Sequence, residues 1–256
     1  MKAISSRENA IYKELLALAS DRRSRRQSGC TLLDGPHLLQ AGLEAGAVFQ
    51  RLVFSETAAT GALAGLTQSL PATPACVLPD ALFNALSPVE TPTGVLAVIE
   101  TPSTASMRND CIVLLENIQD PGNLGAILRV AAAANADVVY LSQGCCEAWS
   151  PKCLRGGQGA HFQLAIHENV DLPVLALAFG GPVYAASLGA SEALFDLDLR
   201  HRVGFAFGNE GSGLSPQLCA AAHPFIIPMP GKVESLNVAT AAAICLFERV
   251  RQQRAG

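Results

Sequence analysis

The chain has 256 residues and a formal net charge of −4; half of its residues are apolar and 16% are charged. This composition supports a sizeable core and is not typical of a disordered chain. The negative charge argues against binding nucleic acid through overall charge, so any such contact must come from local basic patches. The first residues lack an apolar signal core, and proline and glycine interrupt the longest apolar stretch, 172–190. We therefore expect a soluble, cytoplasmic protein.

Eight cysteines in a chain without a secretory signal predict buried thiols rather than a disulfide framework. No two have the C-x-x-C spacing, and Cys145 and Cys146 are adjacent, which is unfavourable for two ligands of one tetrahedral zinc ion. A cluster of these two with Cys153 and His161 stays open as an alternative. The sequence favours small buried thiols in a reducing compartment, and we expect no metal.

The first hundred residues alternate between helical and strand patterns. Residues 6–20 place Ile11, Leu15 and Leu18 on one helical face, with Ser6 as the expected N-cap. The remaining pattern predicts strands at 31–35, 51–56, 76–79 and 94–100, and helices at 37–45, 57–70 and 82–86. These elements predict a small α/β/α domain over residues 1–100. Residues 101–109 lack apolar periodicity and are expected to form a linker.

The densest basic patch consists of Arg22, Arg23, Arg25 and Arg26, directly after the first predicted helix. One interpretation is a solvated helix end whose arginines complement the helix dipole. The other is a contact with the phosphates of a nucleic acid. The segment alone leaves both interpretations open.

The second half has longer apolar runs. The segment 112–118 begins with four consecutive apolar residues, which predicts a strand buried on both faces. Further predicted strands are at 138–142, 203–209 and 225–229, with helices at 123–134 and 236–251 and more helix and strand pairs around Ala165, Leu177 and Tyr184. This alternation predicts a parallel α/β sheet over residues 110–256.

Three segments place polar residues and glycines where an apolar strand ends, which is where ligands gather in open α/β sheets. In the first, residues 116–129, Asp120-Pro121-Gly122 predicts a turn and Asn123 is expected to cap the next helix. Arg129 follows more than one turn later. A capped helix with an exposed arginine is the plain structural alternative.

The second segment, residues 207–215, contains Gly208, Gly211 and Gly213, which let backbone amides approach a ligand. It is not a dinucleotide fingerprint, because it lies late in the chain and lacks an acidic residue about 20 positions on. No Gly-Lys-Ser/Thr follows, which excludes a P-loop. Asn209 and Glu210 at its tip favour a polar ligand.

The third segment, residues 226–252, has Pro228 and Pro230 at an extended strand exit. Ser235 and Asn237 then precede an alanine-rich helix. N-capping by Ser235 would account for one of these polar residues and leave Asn237 unexplained.

The segments carry N-x-x-D-P-x-N-x-G-x-x-x-R at 117–129, G-N-E-G-S-G at 208–213, and I-P-M and S-L-N-V at 227–229 and 235–238. Together they resemble the SpoU (TrmH) branch of the SPOUT RNA methyltransferases over residues 110–252. The first 100 residues resemble, more loosely, the L30e-type substrate-binding domain often attached to that family.

The resemblance implies a homodimeric enzyme with a deep C-terminal trefoil knot. It would transfer a methyl group from S-adenosylmethionine to a ribose 2′-hydroxyl, in rRNA in preference to tRNA. The implied cofactor residues are Gly208, Asn209, Ile227, Met229 and Leu236. The implied reaction centre is Asn123, Arg129, Glu210, Ser235 and Asn237. RNA would meet Arg22, Arg23, Arg25 and Arg26, and a phosphate would meet Arg155 beside Gly156-Gly157.

Two other classes of protein remain as alternatives. A catalytically silent RNA-binding protein could share this fold, although the intact Arg129, Glu210 and Asn237 argue against it. A nucleotide-dependent oxidoreductase or kinase is disfavoured by the position of the glycine loop.

Overall fold

The computed structural model describes residues 1–59, 70, 72–103 and 108–255. The chain divides into two compact units, one of residues 1–103 and 149–162, the other of residues 104–148 and 163–256. Sequence reasoning did not assign residues 149–162 to the first unit. No helix in the described ranges is both long and apolar enough to cross a membrane.

The first unit is built on a five-stranded sheet with the order β1-β4-β3-β5-β2, in which β5 runs antiparallel to its neighbours β2 and β3. Its strands are β1 Lys2–Ala3, β2 Cys30–Asp34, β3 Phe49–Ser55, β4 Ala75–Leu78 and β5 Val95–Glu100. Among the described residues before 103, its helices are α1 Ala10–Ser20, α2 Arg22–Ser28, α3 Pro36–Glu44, α4 Glu56–Ala59 and α5 Asp80–Asn84. Leu15 and Leu18 of α1 pack against strand residues such as Leu32 and Val53 to form the core.

Helix α1 begins later than the apolar periodicity predicts. Asn9, not Ser6, is its N-cap, and the Asn9 side chain accepts a hydrogen bond from Ile11 N at 2.9 Å. Ser6 Oγ instead accepts from Glu8 N in the preceding turn. Most of the helix predicted at 57–70 falls on residues 60–69, which lie outside the described residues.

Helix α2 holds all four clustered arginines, and sequence reasoning did not anticipate it as a separate helix. Asp21 caps its start by accepting from Ser24 N at 2.8 Å, and Gly29 ends it with a φ of 65°. Arg25 is buried, and its Nη1 donates to Leu18 O at 2.6 Å. The expectation of four accessible arginines is therefore corrected. Arg25 serves the fold, and the structure leaves Arg22 half-buried and Arg23 and Arg26 exposed.

The second unit is a six-stranded sheet with the order β11-β9-β10-β6-β7-β8, in which every neighbouring pair is parallel. The prediction of a parallel α/β sheet is confirmed. The strands are β6 Cys111–Leu115, β7 Val138–Leu141, β8 Ala165–His167, β9 Val183–Ala186, β10 Val203–Phe207 and β11 His223–Phe225. The helices that follow α5 are α6 Pro121–Ala133, α7 Pro151–Gly157 (part of the first unit), α8 Leu172–Ala178, α9 Pro216–Ala220 and α10 Val238–Ala255.

Strands β6 and β11 of this sheet end well before the predicted residues 118 and 229. Strand β6 stops at Leu115, and Asn117 then adopts a positive φ of 56°, which turns the chain. Strand β11 stops at Phe225, so the predicted strand 225–229 is wrong beyond its first residue. Pro228 and Pro230 have no N–H to donate to a ladder. Ile226 makes only an isolated bridge with Ala193.

The strand order determines where a ligand can bind. From β6 the chain proceeds to β7 and β8 on one side, and β10, β9 and β11 lie on the other. The neighbours β6 and β10 therefore flank the switch point of the sheet, and ligands of open α/β sheets bind near the carboxyl ends of the strands at such a point.

Candidate cofactor and reaction site

A cavity of about 170 Å³ opens where β9, β10 and β11 end and α10 begins. This is roughly ten times the volume that one water molecule needs. Its lining residues are Ala186, Ser187, Leu188, Phe207, Gly208, Asn209, Glu210, Gly213, Ile226, Ile227, Met229, Ser235, Leu236, Val238 and Ala241. All five residues predicted to contact the cofactor are among them, as are Glu210 and Ser235. Asn123, Arg129 and Asn237 are not.

The glycine loop 208–213 is closed by its own backbone. Gly213 N donates to Asn209 O at 2.8 Å, and Asn209 Oδ1 accepts from Gly211 N at 2.8 Å. A Cβ at Gly208 would collide with the backbone of Gly213 and Leu214, so this close approach requires glycine. Asn209 Nδ2 also donates to Asn117 O at 3.0 Å, which ties the loop to the end of β6.

Three side chains at the edge of the cavity form a hydrogen-bond chain with one direction. Asn237 Oδ1 accepts from Ala239 N at 2.9 Å and Thr240 N at 3.3 Å, so its Nδ2 must be the donor. That Nδ2 donates to Asn123 Oδ1 at 3.0 Å. Asn123 Nδ2 must then donate in turn, and it donates to Glu210 Oε1. This series of hydrogen bonds ends on Oε1 of Glu210, which accepts from Asn123.

Both helix caps differ from the sequence prediction. Asp120 caps α6 by accepting from Asn123 N at 2.8 Å, with Pro121 at the first helical position. The expectation that Asn123 is the cap is wrong, and its side chain is free to join the hydrogen-bond chain. Helix α10 begins at Val238 and is capped by Asn237, not Ser235. The residue that N-capping by Ser235 left unexplained is thus the cap itself.

Arg129 lies on α6, six positions after Asn123, and its side chain is exposed. It makes no hydrogen bond or ion pair with any residue that the structure describes. Asn123, Glu210 and Asn237 are thus brought together, while Arg129 stands apart from them with a free guanidinium.

The loop after β9 is a wall of the cavity that sequence reasoning missed. Ser187 and Leu188 line it, and Leu188 is 61% exposed. The signal was present, because an apolar run ends there and S-L-G-A-S follows. Val238 and Ala241 of α10 were also missed, since alanine and valine in a helix carry no functional signal by themselves.

The cysteines are free thiols. Burial raises the pKa of Cys145, and burial with the neighbouring Cys145 raises the pKa of Cys146 to about 12. Cys145 Sγ donates to Leu115 O at 3.1 Å and so supports the exit of β6. Among the residues described, no group of three or more His, Cys, Asp or Glu is placed to hold a metal ion.

Arg155 lies in the first unit, exposed on α7. The neighbouring Gly156 and Gly157 are the last two residues of this helix. Arg155 is thus presented by regular structure rather than by a loop. Its charge lowers the pKa of buried Asp34, which burial itself raises more strongly.

Comparison with known proteins agrees with this geometry. Residues 110–247 match the SpoU rRNA methylase family, and residues 9–97 match the MRM3-like substrate-binding domain. An uncharacterised tRNA/rRNA methyltransferase of Synechocystis is 34% identical over 98% of this chain and 94% of its own length. The 23S rRNA guanosine 2′-O-methyltransferase RlmP of Bacillus subtilis is 32% identical over 96% of this chain and 98% of its own.

A solved structure with the same fold is the SpoU methyltransferase AviRb from Streptomyces viridochromogenes in complex with AdoMet. It has a TM-score of 0.88 and 27% identity, and the match covers 97% of this chain and all of AviRb (100%). The chain belongs to the SpoU rRNA methylase family. The predicted family, the α/β fold class and an RNA methyltransferase that uses S-adenosylmethionine are confirmed.

Proposed function

We propose that the second unit methylates a ribose 2′-hydroxyl of ribosomal RNA, with the reaction centre at the Asn237–Asn123–Glu210 chain. The observation that carries this proposal is that the series of side-chain hydrogen bonds ends on Glu210, which also lines the cavity. The relatives named as 23S rRNA 2′-O-methyltransferases support ribosomal RNA as the substrate.

The cavity residues fit S-adenosylmethionine. Leu188, Ile226 and Leu236 offer apolar walls for an adenine ring and for methylene groups, and the glycine loop brings backbone polar groups close. When bound, this cofactor supplies the reactive methyl group, so the chemistry needs no metal. Gly208, Asn209, Ile227, Met229 and Leu236 are the residues that would hold it.

Glu210 is the proposed proton acceptor. A ribose hydroxyl has a pKa far above 7 and attacks poorly unless its proton is being removed. Asn123 holds one oxygen of Glu210, and no described residue bonds the other oxygen. That second oxygen is the one we assign to the substrate hydroxyl. Ser235, exposed on the cavity lining, would fix the substrate beside it.

Arg129 is proposed as a phosphate clamp. A guanidinium has a reference pKa of about 12.5–13.8, which makes it a poor general base. It binds phosphate well through two parallel hydrogen bonds. Its exposure and its freedom from described partners support a role in holding the RNA backbone.

The first unit is proposed to grip the RNA through Arg22, Arg23 and Arg26, with Arg155 as a further phosphate contact. The match to an MRM3-like substrate-binding domain supports this assignment. Arg25 is excluded from the proposed contact because it is buried.

A homodimer, a cytoplasmic location and the trefoil knot belong to the same proposal. For the dimer, α10 carries Phe247, 48% exposed, beside half-buried Ala239 and Ala243. These residues offer a face on which a second copy can pack closely.

The test is to incubate the full-length protein with ribosomal RNA and methyl-labelled S-adenosylmethionine, and to map 2′-O-methylation. We expect the wild-type protein to make one position of the ribosomal RNA resistant to cleavage by alkali, because a 2′-O-methyl group blocks that cleavage. The Glu210→Gln variant should produce no such position. Binding of cofactor and RNA without any methyl transfer would instead identify a catalytically silent RNA-binding protein.

A further inference from the structure

Glu116 is a buried carboxylate at the carboxyl end of β6, and it does not line the cavity. Its side chain is 7% exposed. Both of its oxygens are used on one residue: Oε2 accepts from Ser215 N at 2.6 Å, and Oε1 accepts from Ser215 Oγ at 2.7 Å. A carboxylate bound by two donors of one residue holds that residue in one orientation.

The backbone of Glu116 holds the other end of the same loop. Glu116 N donates to Phe207 O at 2.9 Å. Phe207 and Ser215 flank the glycine loop 208–213 and Leu214, so the residue that follows β6 contacts the chain on both sides of the loop. The next residue, Asn117, adds a third attachment through its bond from Asn209.

These attachments matter because the loop contains three glycines. Glycine loses more conformational freedom on ordering than any other residue. If the loop were not held in the free protein, it would become ordered only on ligand binding, and the entropy lost would lower the ligand affinity. The described hydrogen bonds inside the loop run through Asn209. The fixed span between its two ends comes from Glu116.

We infer that Glu116 is a positioning residue: by fixing Ser215 and Phe207, it sets the distance between the two ends of the glycine loop 208–213, which lines the cofactor cavity. It does not touch the reacting atoms and acts through the loop. This inference rests on the proposed cofactor site.

The experiment compares Glu116→Gln with Glu248→Gln in the full-length protein. Glu248 is a matched control, since it is also 7% exposed and its carboxylate also accepts several hydrogen bonds, from Arg251 and Gln252 of α10. The measurements are the Kd for S-adenosylmethionine by calorimetry, the Kd for ribosomal RNA, and urea unfolding without ligands.

Glu116→Gln should weaken S-adenosylmethionine binding about ten-fold, the effect expected from losing a hydrogen bond to a charged group. RNA affinity should stay within two-fold. Glu248→Gln should lower the stability to urea and leave the cofactor Kd unchanged. A cofactor Kd within two-fold of wild type for Glu116→Gln, or an equal loss in Glu248→Gln, would overturn the inference. A wild-type protein that does not bind the cofactor would instead contradict the proposed function.

Ser215 tests the same contact from its other side, whether or not Glu116→Gln folds. Ser215→Thr keeps the hydroxyl and should keep the affinity, while Ser215→Ala should weaken cofactor binding. In the Glu116→Gln background, Ser215→Ala should cost much less affinity than it does alone, because the two residues form one interaction. If Ser215→Ala binds the cofactor like wild type, or if the two losses add, the contact does not position the loop.

Discussion

Asn123 takes part in the reaction-site chain because Asp120 has already satisfied the start of α6. The Asp120 side chain accepts from Asn123 N, so the Asn123 amide has no capping role and reaches Asn237 and Glu210 instead. Asn237 combines both tasks, since its oxygen caps α10 and its nitrogen donates to Asn123. A single amide thus couples the start of a helix to the position of a carboxylate.

Replacing Asn237 by Asp should break the series of hydrogen bonds from Asn237 through Asn123 to Glu210 without removing the N-cap of α10. The carboxylate can still accept from Ala239 N, but it has no N–H to donate and forces Asn123 to turn its amide. Asn123 Oδ1 would then face Glu210, and two acceptors repel. We expect methylation to fall about a hundred-fold, a loss typical of disabled proton transfer, with cofactor Kd within a few-fold.

The control is Asn135→Asp, which adds the same charge at an exposed position of the same unit with a φ of 56° that Asp also tolerates. Single-turnover assays with ribosomal RNA measure both variants. Full activity in Asn237→Asp would show that the direction of the chain is irrelevant.

Arg129→Ala should abolish methylation while the S-adenosylmethionine Kd stays within a few-fold of wild type, because Arg129 does not line the cavity. Arg129→Lys should keep the positive charge but lose the two parallel hydrogen bonds to a phosphate, and so retain only part of the methylation rate. Calorimetry and methyl-transfer assays separate the two effects. Cofactor binding that collapses together with activity would place Arg129 in the cofactor site.

At the scale of elements, helix α2 uses identical side chains for two purposes. Arg25 points inward to the carbonyl of Leu18 at the end of α1, while Arg22, Arg23 and Arg26 are left for solvent or a ligand. Spacing along the helix does not decide this division, because Arg22, Arg25 and Arg26 are at positions i, i+3 and i+4, which share one side of a helix. Arg25 is buried because α2 packs against α1 and β2.

Replacing Arg22, Arg23 and Arg26 by Ala, with Arg25 kept, should weaken RNA binding and leave cofactor binding unchanged. Each arginine–phosphate contact releases counterions when the complex forms, so losing these contacts reduces the number released. The slope of log Kd against log salt concentration should therefore flatten by about two. The charge-matched control replaces the exposed Lys2, Arg7 and Lys13 of the same unit. Equal affinity and equal slope in the two triple variants would mean that α2 does not contact the RNA.

At the scale of the whole molecule, the proposed dimer is expected to rest on α10. This helix packs against α6 within the chain, and Ala242, Cys245 and Leu246 are buried there. Phe247 is directed away from that contact and stays 48% exposed. An exposed aromatic side chain among half-buried alanines suits a close helix contact with a second copy.

Phe247→Asp should therefore give a monomeric mass by light scattering at concentrations where the wild type is a dimer. Placing a charge in an apolar interface without a partner costs several kcal/mol. Leu177→Asp on α8, where the side chain is 76% exposed, is the control and should leave the mass unchanged. A wild type that is monomeric and active would contradict the proposed dimer.

The sequence by itself determined the parallel sheet of the second unit and the three segments at its strand ends. These features depend on apolar runs, glycine and proline, which act over a few neighbouring residues. Family resemblance then directed attention to Asn123, Glu210 and Asn237 together.

The tertiary structure alone decided how those residues are used. The bonds from Asn123 to Glu210 and from Asn237 to Asn123 join positions 87 and 114 residues apart, and the bonds of Glu116 to Ser215 span 99. The pairs with Glu210 and Ser215 depend on β10 lying beside β6, and the pair of Asn123 with Asn237 depends on α10 packing against α6. No local pattern specifies either arrangement. The same holds for residues 149–162, which Thr31 joins to the first unit through a 2.6 Å bond to Trp149 O. Strand order and burial, not spacing along the chain, set these contacts, because hydrogen bonds form between groups that the fold has already brought within 3.5 Å of each other.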